Sequence, residues 1–280
     1  MQTAQPTGRP HSNQGLFSDH YLNATLPTRP NWRDLADEAR PAMEEIAGLL
    51  DAYTPSENEA QVEEELVRPV LRLLGHTFEV QPALATPEGT KRPDYVLYRN
   101  AGSVAANKGR TLTDESLKDS AFAVADAKYW ERPLDFSLKG RSRDAFSNKN
   151  PSYQVSFYMQ HSGTEWGILT NGRLWRFYHR GTAHKLDRFY EVDLPALVRS
   201  GSAEDFLYFY ASSGGRLSRT DPSVSRRCSG RVQTTPGASA TRSKSRSTRL
   251  CGTWRRGFWT IRETNFRRSR LRCARSTTTP

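Results

Sequence analysis

The sequence predicts an α/β domain with a mixed β-sheet flanked by helices, followed by a disordered basic tail. Three observations predict this organisation. An amphipathic helical stretch precedes three short strand-like runs, a second helical stretch and an aromatic hairpin follow them, and the composition changes abruptly near residue 212. We therefore expect one α/β domain over residues 56–211 and a separate tail over residues 212–280.

The first 55 residues divide into two segments. Residues 1–15 are polar, lack the apolar core of a secretory signal, and are expected to be disordered. Residues 16–55 form a proline-punctuated arm, in which the periodicity of residues 33–52 predicts a short helix.

The first helix of the domain is predicted over residues 56–75. Ser56 is a candidate N-cap with Glu59 three residues later, as in a capping box, and Gly75 is a candidate C-terminal stop. Pro69 lies inside the periodic pattern and predicts a kink.

Two glutamates of this helix share its apolar side. Counting 100° per residue places Glu63 near the middle of the apolar face, and Glu59 lies one turn earlier on the same side. A buried carboxylate is costly unless it is paired or binds a metal. Either these glutamates serve a site, or Glu59 is only a cap and Glu63 lies beyond the core.

Three strand-like runs follow the helix. They cover residues 77–84, 94–99 and 121–130, and the polar residues 100–119 predict a loop between the last two. Their composition, rich in Val, Tyr and Phe, is typical of strands.

The second half of the domain begins with a predicted helix over residues 151–162. A hairpin follows over residues 164–180, and Asn171-Gly172 predicts a type I′ turn between its aromatic strands. The remaining elements are a strand at residues 189–193 and one or two short helices over residues 194–211.

Charged residues occupy the ends of two strands. Asp94 begins one strand, and Asp126 and Lys128 share a face at the end of another because side chains alternate. Carboxylate oxygens suit Mg²⁺, which also binds substrate phosphate. Lys128 could hold or deprotonate an attacking water, or stabilise a pentavalent phosphate. The alternative is an ordinary surface ion pair.

The order of these motifs resembles the PD-(D/E)xK nuclease superfamily. A glutamate on a helix, "PD" on a strand, "DAK" on the next strand and "QVSFY" on a helix occur in sequence. More closely, "NEAQVEEELVRPVLRLLGH" and "GILTNGRLWRFYH" are similar to the opening helix and closing hairpin of the nuclease domain in type I restriction R subunits and fused restriction–modification enzymes. The resemblance covers about residues 17–211 and implies a restriction-endonuclease-like core.

The resemblance also implies roles for individual residues. Asp94 and Asp126 would bind Mg²⁺, and Lys128 would act in catalysis. The helix glutamate of the family falls on Glu59 or Glu63, and position 126 is Asp rather than the commoner Glu. The Gln-x-x-x-Tyr motif, which would position the site or the DNA backbone, falls on Gln154 and Tyr158.

The implied activity is Mg²⁺-dependent hydrolysis of phosphodiester bonds in double-stranded DNA. Such enzymes continue into a helicase motor or a methyltransferase, yet this sequence contains neither a GxxxxGK[ST] loop nor a cofactor-binding glycine turn. We therefore expect the truncated front of a larger restriction enzyme, whose methyltransferase or specificity domain or subunit is missing.

The charge distribution supports a competing hypothesis, a nuclease-like fold that binds DNA or a partner without cleavage. Residues 216–280 contain 17 basic and two acidic residues, which leaves 24 basic and 28 acidic residues in residues 1–215. Phosphate binding requires local basic patches. The candidates around the site are Lys91, Arg92, Lys128, Lys139, Arg141 and Arg143.

The tail has a composition of its own, with 16 arginines, one lysine and all three cysteines of the chain. This is typical of a disordered basic segment that contacts DNA phosphates, or of GC-rich DNA read out of frame after about Ser212. The lack of cysteine in the first 215 residues suits the cytoplasm. No apolar run approaches the roughly 18 residues that a membrane span requires.

Overall fold

The computed structural model describes residues 10–30, 32–135, 150–182 and 184–213. Within these ranges the chain is an α/β fold with a mixed seven-stranded sheet flanked by helices. The strands are β1 (His11–Asn13), β2 (Thr77–Val80), β3 (Leu84–Thr86), β4 (Gly89–Lys91), β5 (Tyr95–Tyr98), β6 (Ala121–Ala127), β7 (Trp166–Thr170), β8 (Leu174–His179) and β9 (Tyr190–Asp193). The helices are α1 (Trp32–Ala52), α2 (Glu59–Val62), α3 (Arg68–Leu73), α4 (Ala101–Asn107), α5 (Asp114–Leu117), α6 (Pro151–Ser162), α7 (Leu194–Ser200) and α8 (Ala203–Ser213).

The large sheet has the strand order β1-β9-β8-β7-β6-β5-β2, and β3 and β4 form a separate hairpin. In the large sheet β6 and β7 run parallel, and the other neighbours are antiparallel. Helix α6 connects β6 to β7 and packs against both strands, since parallel neighbours need a crossover connection. Because β5 and β6 are antiparallel, the start of β5 lies beside the end of β6.

Helices cover the sheet on both faces. On one face, Ala123 and Ala125 of β6 belong to a core that includes residues of α1, α3, α7 and α8. On the other face, Val124 packs in a second core with Val155 and Met159 of α6. Because β6 is packed on both faces, the position of Lys128, which follows its last residue, is well defined.

The predicted helix over residues 56–75 contains a change of helical type. α2 and α3 are joined end to end by a π-helical segment, Glu63–Val67, and Pro69 lies in the first turn of α3. A proline removes a backbone donor, and a π-helical segment next to it is a recognised way to accommodate the break. Gly75, with φ of 79°, follows the end of the helix as predicted.

The predicted N-cap of this helix is wrong by two residues. Asn58, rather than Ser56, caps α2, because its side-chain oxygen accepts a hydrogen bond from the Ala60 N–H at 3.1 Å. The Ser56 hydroxyl instead donates to the Gln61 side chain at 2.8 Å. Glu59 is the first residue of α2, so it cannot complete the predicted capping box.

The hairpin of β7 and β8 is confirmed, but its turn is not type I′. That turn requires positive φ at both central residues, and in this loop Gly172, with φ of 81°, is the residue in the left-handed region. Asn171 instead accepts a hydrogen bond from the Leu174 N–H on its side-chain oxygen at 2.7 Å. This contact closes a loop of three residues, 171–173, where the sequence predicted a loop of two.

Two segments predicted to lack regular structure contain short elements. Residues 11–13 were expected to be disordered, but they form β1, which pairs antiparallel with β9. The predicted loop at residues 100–119 contains α4 and α5, capped by the side chains of Asn100 and Thr113. Both helices are too short for their periodicity to be recognised in the sequence.

Several predictions fall on residues outside the described ranges. They are those for residues 1–9, for Lys139, Arg141 and Arg143, and for residues 214–280. Within the described ranges, no helix has both the length and the apolar character needed to cross a membrane.

We predict that Gly172→Ala destabilises the fold by about 2–4 kcal/mol. A Cβ at this position would lie 3.1 Å from side-chain atoms of Val62, Leu66 and Trp130, so crowding adds to the roughly 1–2 kcal/mol of left-handed strain. Urea unfolding measures the difference. Gly89→Ala is the matched control, because Gly89 also has positive φ but has open space around its Cβ. Equal losses in the two variants would contradict the packing described for Gly172.

Candidate metal centre

Two aspartates stand next to each other across β5 and β6. Tyr95 pairs with Ala125 in the antiparallel register, so the preceding Asp94 lies opposite Asp126. The Asp94 carboxylate accepts a hydrogen bond from the Ala127 N–H at 2.8 Å. This bond ties the side chain at the start of β5 to the backbone at the end of β6.

Lys128 and Asp126 form a buried ion pair at the end of β6. The Lys128 Nζ lies 2.6 Å from an Asp126 carboxylate oxygen, and the two side chains are 13% and 5% exposed. The Lys128 N–H also donates to the Thr170 carbonyl of β7 at 2.8 Å. The predicted neighbourhood of these two charged residues is therefore present, with the lysine backbone held by the adjacent strand.

Glu63 enters the same region from the helix. It is 4% exposed, and its carboxylate accepts a hydrogen bond from the Tyr95 hydroxyl at 2.6 Å. The Arg68 guanidinium lies 3.6 Å from the same carboxylate and also pairs with the exposed Glu64. Glu63 is therefore a buried carboxyl group with two partners, so of the two alternatives left open by the sequence, the one that places it beyond the core is wrong.

Within the described ranges, Glu59, Glu63 and Asp94 form a group that could hold a metal ion. One carboxylate oxygen from each lies within 4.8 Å of the others. The sequence left open which helix glutamate lies near Asp94, and the structure places both there. The sequence predicted Asp94 and Asp126 as the metal ligands. In the structure the Asp126 carboxylate lies against Lys128 instead. A role for Asp126 at a metal stays a prediction.

The charges of the cluster shift the pKa values of its members. Burial, together with the neighbouring Asp126 and Glu63 carboxylates, raises the pKa of Asp94 well above its usual range, against the opposing influence of Lys128 and the Ala127 N–H. Burial alone would lower the pKa of Lys128, but Asp126, Glu59 and Asp94 raise it above its usual value. The region therefore has an excess of negative charge that a cation would relieve.

Of the residues predicted to position the site, Tyr158 contacts the segment that carries Asp94. The Tyr158 hydroxyl donates to the Arg92 carbonyl at 2.9 Å, two residues before Asp94. Gln154, one turn earlier on α6, is 2% exposed, and its amide nitrogen has no hydrogen-bond partner among the described residues. Arg92 is exposed and donates to the Gln81 carbonyl at 2.8 Å. Lys91 lies 3.8 Å from Glu88 in the β3–β4 hairpin.

Two residues of the cluster were missed from the sequence. Tyr95 follows Asp94 directly and was read only as a strand residue, although its hydroxyl is the donor to Glu63. Arg68 lies four residues after Glu64 and five after Glu63. Its i,i+4 spacing to Glu64 was a visible signal for an ion pair.

No protein-family model, curated protein or solved structure matches this chain. The resemblance of its motifs to PD-(D/E)xK nucleases therefore stays a prediction. Its function has to be inferred from the geometry and charge of the site.

We predict that Asp94→Asn raises the melting temperature of the metal-free protein by about 2–6 °C. The amide oxygen still accepts the hydrogen bond from the Ala127 N–H, while one of the crowded negative charges is removed. The rise in melting temperature corresponds to a gain of about 1–2 kcal/mol in unfolding free energy. Scanning calorimetry in EDTA measures it. Added Mg²⁺ should stabilise the wild type but not this variant.

Asp119→Asn is the control for Asp94→Asn, since Asp119 is an exposed carboxylate in the turn before β6. We expect it to change neither the melting temperature nor the response to Mg²⁺. If Asp94→Asn instead lowered the melting temperature, the carboxylate would be stabilising the metal-free fold, and the cluster would not be poised for a cation.

We also predict that Tyr95→Phe costs about 2–3 kcal/mol of unfolding free energy, because the buried Glu63 carboxylate loses a donor. Tyr98→Phe on the same strand is the matched control. Its hydroxyl donates to the less buried Glu79 at 3.1 Å, so we expect a loss of about 1 kcal/mol. Urea unfolding compares the two variants, and a larger loss for Tyr98→Phe would argue against the Glu63 contact.

Proposed function

We propose that residues 56–211 are a Mg²⁺-dependent deoxyribonuclease domain with a restriction-endonuclease-like core. The observation that supports this most is a convergence of acidic and basic side chains from one helix and two strands. The converging residues are Glu59, Glu63, Asp94, Asp126 and Lys128.

The donor set fits Mg²⁺. Glu59, Glu63 and Asp94 offer carboxylate oxygens, which are the hard ligands that this ion prefers. When bound, Mg²⁺ would neutralise charge on a substrate phosphate and lower the pKa of a coordinated water. Zn²⁺ sites are built largely from Cys and His, and this group contains neither.

Lys128 would supply the positive charge for the reaction. Asp126 holds its ammonium group at 2.6 Å in a largely buried position, where a cation stabilises developing negative charge more strongly than it does in water. Its N–H groups would donate to a phosphate oxygen or to the attacking water. The bond from the Lys128 backbone to Thr170 keeps the residue in place during this step.

The residues beside the cluster would align the DNA. Lys91 and Arg92 precede Asp94 and would contact backbone phosphates, which dominate the affinity of proteins for DNA. Tyr158, through its bond to the Arg92 carbonyl, would fix the segment that carries Asp94. Gln154 lies in the same helix, its amide nitrogen has no hydrogen-bond partner in the described part of the chain, and it would complete this support.

The competing function is a module of the same fold that binds DNA or a protein partner without cleavage. The excess of four acidic residues in residues 1–215 favours it, because phosphate binding is opposed by negative charge. In either case sequence recognition would come from another domain or subunit. Calorimetric titration with Mg²⁺ separates the two, since the non-cleaving module has no need to bind the ion.

We predict that purified protein nicks supercoiled plasmid DNA in Mg²⁺ and that Lys128→Gln slows this about 100-fold or more. Glutamine can still donate a hydrogen bond to Asp126, so the fold should survive the change, as circular dichroism would verify. Lys118→Gln is the control, since Lys118 is an exposed lysine after α5. Equal nicking by the wild type and Lys128→Gln would refute the catalytic assignment.

A further inference from the structure

A cavity of about 400 Å³ lies between the end of α1, the turn after β6, and α7. Its volume is at the lower end of the range for small-molecule sites, about 300–1,000 Å³. It therefore has room for one small group. Its main lining residues are Leu50, Tyr53, Trp130 and Val198, with the charged Asp51 and Arg199.

Two aromatic rings form part of its wall. The ring centroids of Tyr53 and Trp130 are 5.3 Å apart, and the planes are inclined by 45°. The backbone N–H of Trp130 donates to the Ser56 carbonyl at 3.1 Å, which fixes the main chain that carries the indole. A Cβ at Gly172 would lie 3.1 Å from an atom of the indole, so the hairpin turn supports this ring closely. A half-buried, supported indole is a preformed stacking surface.

The charged residues of the cavity have hydrogen-bonding capacity to spare. Asp51 and Arg199 are exposed, and in the described part of the chain neither forms an ion pair. The Arg199 Nε donates to the Pro195 carbonyl at 3.1 Å, which leaves the terminal guanidinium groups for a ligand. The cavity thus offers an aromatic wall, one anionic acceptor and one cationic donor. A planar group with donors and acceptors along its edge matches this set.

The cavity is connected to the metal centre through two short segments. Trp130 lies two residues after Lys128, a separation of at most about 7 Å along the chain. Ser56, which holds the Trp130 backbone, lies three residues before Glu59. The main chain therefore carries Trp130 close to the residue that is proposed to hold the phosphate.

We propose that this cavity binds one unpaired nucleobase of a DNA strand, next to the phosphate held at Lys128. This inference rests on the proposed nuclease function and specifies its substrate. The base stacks on Trp130, its exocyclic amine donates to Asp51, and Arg199 contacts the backbone. Enzymes that extrude a base spend unpairing free energy, so a base that is already unpaired binds best. The substrate class is DNA with an unpaired nucleotide beside the cleavage position.

The test measures binding rather than cleavage. Fluorescence anisotropy in EDTA compares a short single-stranded oligonucleotide with one of equal length made of abasic sites, which has the same phosphates. Trp130→Leu removes the stacking surface. Ala47 of α1 also lines the cavity, and Ala47→Phe fills it while Trp130 itself is unchanged. We expect each variant to weaken binding of the base-containing strand about tenfold, the effect of losing one stacked base. Binding of the abasic strand should not change.

Ala105→Phe is the matched control, because Ala105 is an exposed alanine on α4, and it should bind both strands as the wild type does. The proposal is overturned if both cavity variants bind the base-containing strand like the wild type, or if the wild type binds the two strands equally. Plasmid cleavage in Mg²⁺ is measured separately. A wild type that cleaves plasmid DNA but binds the two strands equally would refute the cavity alone, and a wild type that prefers the base-containing strand but does not cleave would refute the nuclease alone.

Discussion

The burial of several carboxylates at one end of the sheet is the constraint on which the rest of this structure depends. Each isolated ion moved out of water costs several kcal/mol, and a whole domain is stable by about 5–15 kcal/mol. Glu63 and Asp126, both 4% exposed, therefore require partners. Arg68 and Tyr95 serve Glu63, and Lys128 serves Asp126.

These charged groups lie on elements that are hydrogen-bonded to one another, so the elements cannot move independently. The antiparallel pairing of β5 and β6 places Asp94 on the backbone of Ala127. The parallel pairing of β6 and β7 continues one residue further, through Lys128 and Thr170. The cluster is therefore built on strand ends and a helix rather than on loops, and such a scaffold holds charged groups in defined positions.

The site was more predictable from the sequence than some of the fold around it. Asp94, Asp126 and Lys128 interrupt apolar strands, and Glu63 interrupts an apolar helix face, so local periodicity is enough to find them. The partner Tyr95 could not be assigned, because its contact with Glu63 depends on how the helix packs against the sheet. The contact of Arg68 with Glu63 spans five residues within the π-helical segment and the start of α3, a spacing that a regular helix does not bring together. Strand β1, with three residues, owes its structure to pairing with β9, and no local pattern indicates it.

The position of β1 has a consequence for the order in which this protein is completed. His11 lies opposite Val192, and closing a loop of roughly 180 residues is a slow, non-local event. The arm after β1 is fastened late as well, since the Tyr208 hydroxyl donates to the Leu22 carbonyl at 3.0 Å. On the ribosome the N-terminal segment emerges early, and it can form these contacts only after β9 and α8 have been synthesised. Strand β1 is thus synthesised before β9 but can join the sheet only through it.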